Sequence, residues 1–313
     1  MTPRCAAAVS LLIVLGAATP AHANGAPAEF PAGGVVFKPT KDISIAREEL
    51  QVGWDRIHVR YVFESSAQEP REVTVGFPLA KVPQDDSPDG FQDDDRNYMG
   101  FEVSVDGKPL EPVLHDYAWL DETNITERLN AMGVPIFAAT PDMFEALARL
   151  PAATVARLKE EGLAAQESGW LIPLWHYQAV YAWTQTFAPG RTEVEIAYSP
   201  RFGATNDRAY YYPGGEGAWD YCLDDTIKRR LEAYPSPFAG AEPFTVGYIL
   251  TTASNWNGPI GEFHLRIANT RSFASLCVPE GLTANSDGES WFARNFVPKA
   301  DLKVLFFFDE ALQ

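Results

Sequence analysis

The chain has 313 residues, 46% hydrophobic and 12% aromatic, enough apolar material for an ordinary core and not a disordered composition. Its formal net charge of -17 excludes a nucleic-acid binder, because contact with phosphates needs clustered Lys and Arg. The same charge argues against an anionic membrane surface.

Arg4, the apolar run Ala6 to Ala18 and the small-x-small triplet Ala21-His22-Ala23 form the pattern of an export signal. Residues 1–23 are therefore read as a signal peptide cut after Ala23, and the mature chain as periplasmic or secreted. The apolar run is too short for a membrane span, and nothing in the mature chain approaches one. Cleavage removes Cys5 and leaves Cys222 and Cys277. Two cysteines in an oxidising compartment are expected to pair. Two free thiols or a metal pair are the alternatives; there is no CxxC, and His58, His115, His176 and His264 are scattered.

Residues 24–120 read as an N-terminal β region. After an irregular arm, Ile57, Val59, Tyr61 and Phe63 alternate with Arg56, His58, Arg60 and Val62. Beyond a polar turn, Val73, Val75, Phe77 and Leu79 repeat the pattern, which predicts paired antiparallel strands with one buried face. Phe101, Val103 and Val105 predict another strand, turned by Asp106-Gly107 into Pro109-Leu110.

Over residues 121–169 the period changes to that of a helical insertion. One helix is expected within Glu122 to Met132. A second starts at Thr140-Pro141-Asp142, with a capping hydroxyl, Pro at the first position and an acid at the positive end of the dipole. A third runs through Val155 and Leu158 and stops at Gly162. Residues 170–313 read as a C-terminal β region. Tyr177 to Phe187 and Thr192 to Tyr198 predict a hairpin through Pro189-Gly190. Alternation returns in Thr245 to Thr252, Phe263 to Ile267, Trp291 to Val297 and Leu302 to Phe308. The expected fold is mainly β, one or two antiparallel β-sandwiches with a small α-helical insertion.

The run Val246-Gly247-Tyr248-Ile249-Leu250-Thr251-Thr252, then Asn255-Trp256-x-Gly258-Pro259-Ile260 and Phe263-x-Leu265, resembles the C-terminal signature of the domain-of-unknown-function 4424 family of exported bacterial proteins. Gly33-Gly34-Val35-Val36-Phe37, Ile43, Glu48, Leu50, Val59-Arg60-Tyr61-x-Phe63 and Phe77-Pro78-Leu79 agree at the other end. The cysteines also sit where the family tends to have them. The resemblance implies a shared fold and an envelope location, and brings no reaction, substrate or catalytic residue.

GxSxG, HExxH, GxxxxGK and a strand-borne GxGxxG are all absent from the sequence. Clustered carboxylates at Asp85, Asp86 and Asp89 could suit calcium, but Pro88 intrudes and Arg96 stands at the twelfth position where an EF-hand needs Glu. A solvated acidic loop is the better reading, so no metal or other cofactor is assigned. Tyr177, Tyr181 and Trp183 share one strand face, which either fills the core or offers a stacking platform for sugar rings. Asn255, Trp256 and Asn257 are either a structural turn or an exposed binding loop. Glu193 and Glu195 are read as the wet side of a strand. The function these features favour is non-catalytic binding or scaffolding in the envelope, with a glycan or a protein as partner. The alternative is an extracytoplasmic hydrolase acting on an envelope polymer.

Overall fold

The computed structural model describes residues 26–29, 36–83, 97, 99–136, 141–167, 169–200, 208–269 and 271–309. Residues 1–23, expected to be a signal peptide, and Asp85, Asp86 and Asp89 lie outside them. The strands in chain order are β1 (Ala26–Glu29), β2 (Val36–Phe37), β3 (Ile43–Gly53), β4 (Ile57–Ser65), β5 (Arg71–Pro78), β6 (Val82–Pro83), β7 (Glu102–Val105), β8 (Lys108–Leu110), β9 (Val113–Leu120) and β10 (Thr123–Asn124). Helices α1 (Thr126–Ala131), α2 (Pro141–Ala148) and α3 (Ala152–Glu160) follow. Next come β11 (Ala164–Glu167), β12 (Trp170–Pro173), β13 (His176–Phe187), β14 (Gly190–Tyr198), α4 (Arg208–Tyr211) and α5 (Asp225–Glu232). The chain finishes with β15 (Glu242–Tyr248), β16 (Ile260–Ala268), β17 (Ser272–Leu276), β18 (Thr283–Ala284), β19 (Ser290–Phe296) and β20 (Leu302–Phe308). No helix among the described residues is long and apolar enough to cross a membrane.

An eight-stranded sheet, ordered β18-β19-β16-β3-β4-β14-β7-β8, faces a sheet ordered β10-β9-β13-β5-β1-β2, in which β6 also pairs with β13. A third sheet, β15-β20-β17, adds Val246, Tyr248, Val304 and Phe306 to the core they share. The fold is mainly β and largely antiparallel, as the alternation predicts. Among the described residues the exception is β3, which pairs with β16 in parallel. Strands before and after the helical insertion share each large sheet, so one continuous core joins them.

The expected hairpin through Pro189-Gly190 and the expected pairing of β4 with β5 are not formed. β4 and β5 do not pair, and neither do β13 and β14: each pair crosses the core, with one strand in each large sheet. The crossings stack. β4 pairs with β14 from Ile57↔Tyr198 to Ser65↔Gly190, while β5 pairs with β13 from Pro78↔Val180 to Arg71↔Phe187. Period-two alternation identifies a buried face but not the sheet that carries it, and an arch and a hairpin bury the same residues. Asp106-Gly107 does make a hairpin: both residues take positive φ, 47° and 73°, as the tight turn between β7 and β8 requires.

The arches close around three rings. Phe63 and Phe187 approach edge-on at 5.3 Å, and Trp256 lies 4.5 Å from Phe63 and 5.7 Å from Phe187. The loop carrying Trp256 is fastened from both sides: Thr40 N–H donates to Asn255 O at 2.9 Å and Asn257 N–H to Ile43 O at 2.8 Å. Asp301 caps the preceding turn, accepting from Leu250 N–H, Thr251 N–H and the Thr251 hydroxyl at 3.0, 3.1 and 2.8 Å.

β3 carries a register shift between Ile45 and Arg47. Ile43 and Ile45 point inward before this bulge, Glu48, Leu50 and Val52 after it. Gly261 meets the bulge: a Cβ there would lie 2.6 Å from Ala46 O, so β16 could not draw beside β3 with any other residue at that position.

The predicted helical insertion packs Ile125, Leu129, Leu147, Leu158, Leu163 and Trp175 into a satellite core. α2 begins at Pro141 and α3 ends before Gly162 with its positive φ of 66°, as the sequence signals indicate. β20 is the central strand of its sheet, and the run Val304-Leu305-Phe306-Phe307 is buried on both faces. Its outer face, with Leu305 and Phe307, packs on Tyr212, Leu231 and Phe273. Cys222 and Cys277 form a disulfide with Cα atoms 5.0 Å apart, tying the segment after α4 to β17. Trp256→Ala should lower the unfolding free energy by about 3 to 5 kcal/mol, the usual cost of emptying a buried aromatic site. A urea-melt loss below about 1 kcal/mol would show that the arches close without this ring.

Candidate functional site

The outward side chains of the eight-stranded sheet form a groove of about 410 Å³ lined by Glu49, Gln51, His58, Arg60, His264 and Arg266, with Asn285 and Ser290 at one end. The strands place these residues by parity, since Leu50, Val59 and Leu265 between them point into the core. Cross-strand pairing organises them into two rows. The first runs Phe292, His264, Glu49, Arg60 and Glu195 across β19, β16, β3, β4 and β14. The second runs Ser290, Arg266, Gln51, His58 and Ala197 across the same strands.

The first row is electrostatically closed. Arg60 lies 2.7 Å from Glu193 and 3.6 Å from both Glu49 and Glu195. One step along the sheet, Arg47 lies 2.8 Å from Glu262 and 3.1 Å from Glu49, and Arg294 is 3.7 Å from Glu262. The hydrogen bond from Arg60 holds the Glu193 carboxyl below the usual carboxylate range, and that from Arg47 does the same to Glu262. His264 tilts over Phe292 with ring centroids 4.7 Å apart, and its buried Nε2 has no hydrogen-bond partner among the described residues.

Directly behind this face sits a carboxyl that composition alone would not place in a core. The bulge in β3 turns Glu48 inward, where it is only 2% exposed. Tyr248 donates to Glu48 Oε1 at 3.2 Å, and the hydroxyls of Tyr61 and Tyr248 meet at 2.7 Å. Burial pushes the Glu48 carboxyl up to about 8, against the lowering effect of the two tyrosine hydrogen bonds. Burial likewise raises Tyr61, Tyr198 and Tyr248 above the ordinary tyrosine range. Burial favours the uncharged form of Glu48, and the hydrogen bonds of the cluster join three strands of two sheets. Its burial fits a structural group.

The residues singled out in the sequence lie elsewhere. Tyr177, Tyr181 and Trp183 share one face of β13, and that face lines the core. Tyr181 stacks on Phe101 at 4.1 Å with its hydroxyl donating to Asn97 Oδ1 at 3.1 Å, and the Tyr177 hydroxyl donates to Asp116 at 2.5 Å. Trp183 donates its indole N–H to Gln185 at 3.2 Å. These rings offer no exposed platform for stacking. Trp256 is 3% exposed, Asn255 donates to Thr252 O at 3.1 Å, and Asn257 is exposed. Among the described residues no three His, Cys, Asp or Glu side chains converge as a metal site would need.

The groove escapes sequence reasoning because β3 and β4 on one side and β16 and β19 on the other lie about two hundred residues apart. Sequence reasoning missed the buried role of Glu48 although a signal was present: the apolar parity switches from Ile43 and Ile45 to Leu50 and Val52.

The sequence profile of a family described as a domain of unknown function (DUF4424) matches residues 23–305. No protein of curated function matches the sequence. Among solved structures, one from Legionella pneumophila subsp. pneumophila str. Philadelphia 1, described as a "putative nutrient binding protein", is similar at 14% identity and a TM-score of 0.45. The match covers 92% of this chain and 73% of that one.

The folded state holds the Glu48 proton more tightly than the unfolded chain does. The Glu48 contribution to stability is therefore full below about pH 4.5 and is lost as pH rises toward about 8. The slope is at most about 1.4 kcal/mol per pH unit. Glu48→Gln keeps the hydrogen-bonding shape without the titration, so its urea midpoint should be flatter over that window than the wild-type one. Parallel curves for the two proteins would show that Glu48 does not hold its proton in the fold.

Proposed function

The chain belongs to the DUF4424 family, and for it we propose a non-catalytic binding role in the cell envelope, with the groove on the eight-stranded sheet as the ligand seat. The observation that carries this reading is the groove itself. Its volume of about 410 Å³ is that of a small-ligand site, and its lining is side chains of rigid strands, not loops. The polar lining and open shape suit a hydrophilic ligand such as a sugar unit of an envelope glycan. The export signal in the sequence and the disulfide both support an extracytoplasmic setting.

Hydrolysis of an envelope polymer needs two carboxyls facing each other about 5 to 10 Å apart. The described lining offers Glu49, already held by Arg47 and Arg60. This favours binding over turnover.

A thermal-shift screen of the oxidised chain from Asn24, with neutral and acidic sugars and peptidoglycan fragments, tests the reading. A ligand present at a hundred times its dissociation constant adds about 2.7 kcal/mol of stability. Gln51→Trp, which fills the groove from an exposed position on β3, should abolish any such shift while leaving the unliganded melting temperature unchanged. A shift that survives in this variant would place the ligand elsewhere on the molecule.

A further inference from the structure

We propose that the ligand of the groove carries a carboxylate, seated on the guanidinium of Arg266. This rests on the groove being the ligand seat, and deepens that reading by naming the chemistry it selects.

The two rows of the groove differ in one respect. The first row and its neighbours balance every arginine with acids: Arg60 against Glu193, Glu49 and Glu195, Arg47 and Arg294 against Glu262. The second row contains Arg266, Gln51 and His58 and no carboxylate. Glu102, one strand beyond Ala197, is taken by Arg56 at 2.7 Å. Arg266 makes no ion pair within 4 Å among the described residues, although its strand neighbour Glu262 makes two.

Asp287 is held below the usual carboxylate range first by the Ser290 hydroxyl and the Glu289 and Ser290 N–H groups, and least by the charge of Arg266. Asp287 is committed elsewhere. Its oxygens accept from the Ser290 hydroxyl at 2.7 Å and from the backbone N–H groups of Ser290 and Glu289 at 3.0 and 3.1 Å. The Ser290 hydroxyl in turn accepts from the Asn285 amide at 2.8 Å, so this end of the groove is rigid.

An exposed arginine on a sheet face needs no partner, and on most surfaces water serves it. Here, however, the guanidinium stands in the wall of a groove beside a side-chain amide and an imidazole on adjacent strands. Those three donors span two strand spacings, about 10 Å, the length of a sugar ring with its substituents. A planar fork of N–H donors matches a carboxylate in two parallel hydrogen bonds, which a neutral hydroxyl cannot reproduce. Of the two arginines in the described lining, Arg60 is paired with three glutamates and Arg266 with none within 4 Å among the described residues, so the positive character of the groove is local to Arg266.

The test is titration calorimetry of the oxidised chain from Asn24 with three probes: glucuronate, glucose and inorganic phosphate. Glucuronate and glucose share a ring and differ by the carboxylate. Glucuronate should bind at least about tenfold more tightly than glucose, the factor expected of one charge-assisted contact. Arg266→Gln should remove that advantage without changing the melting temperature of the unliganded protein, and Arg266→Lys should restore part of it. If glucose binds as well as glucuronate and Gln51→Trp abolishes both, the groove stands as a ligand seat and the carboxylate inference falls. Binding of phosphate with no response to glucuronate also overturns the carboxylate. Glucuronate bound equally well by Arg266→Gln overturns the assignment to this residue. Silence toward all three probes at millimolar concentration overturns the inference outright.

Discussion

The fold depends on two passages of the chain through the interior. β4 to β5 and β13 to β14 each leave one sheet and enter the other, and the strands on either side pair with one another in both. The spacing of the two large sheets is thereby set by covalent connections as well as by side-chain volume. Phe63, Phe187 and Trp256 fill the space under these passages, and their mutual ring contacts do what a third strand would do elsewhere. With the central strands placed, β3 and β7 add to one sheet and β9 and β1 to the other by ordinary ladder pairing.

The sequence discloses buried faces well and partners poorly. The inward set Ile57, Val59, Tyr61 and Phe63 follows from alternation alone, and so does Phe263, Leu265 and Ile267. The hairpin at Asp106-Gly107 follows because that dipeptide tolerates two positive φ angles in succession. Pro189-Gly190 carries a similar turn signal but serves an arch, since Pro and Gly report a change of direction and not the sheet that receives the next strand. The parallel pairing of β3 with β16 leaves little local trace. Its one hint is Gly261, a glycine inside an apolar strand, which marks a close backbone approach.

For the site, the aromatic residues drew attention because large rings are informative wherever they fall. In this sandwich that same size makes them core residues, and the outward positions go to charges. The groove is assembled from residue types that any wet sheet face displays, so its distinction lies in position: one row neutralised by its neighbours, the next left with donors in excess. Chemistry of this kind is visible only once the register is known. The buried Glu48 shows the same dependence from the other side, because a single inserted residue at Ala46 decides which of two adjacent glutamates meets water. Without the bulge, Glu49 and not Glu48 would face the core.

The parallel junction also bears on how the chain reaches this structure. Arg47 and Glu262 meet across it at a sequence separation of 215. Closing so long a loop has a high entropic cost before any contact offsets it. The stacked arches and the hairpin of β7 and β8 involve shorter separations and can form first. β16 then joins an exposed edge of β3 that must stay unpaired until late. That edge is the surface most open to wrong partners in the partly folded chain, and its guards are the charges on its wet face and the bulge that twists it.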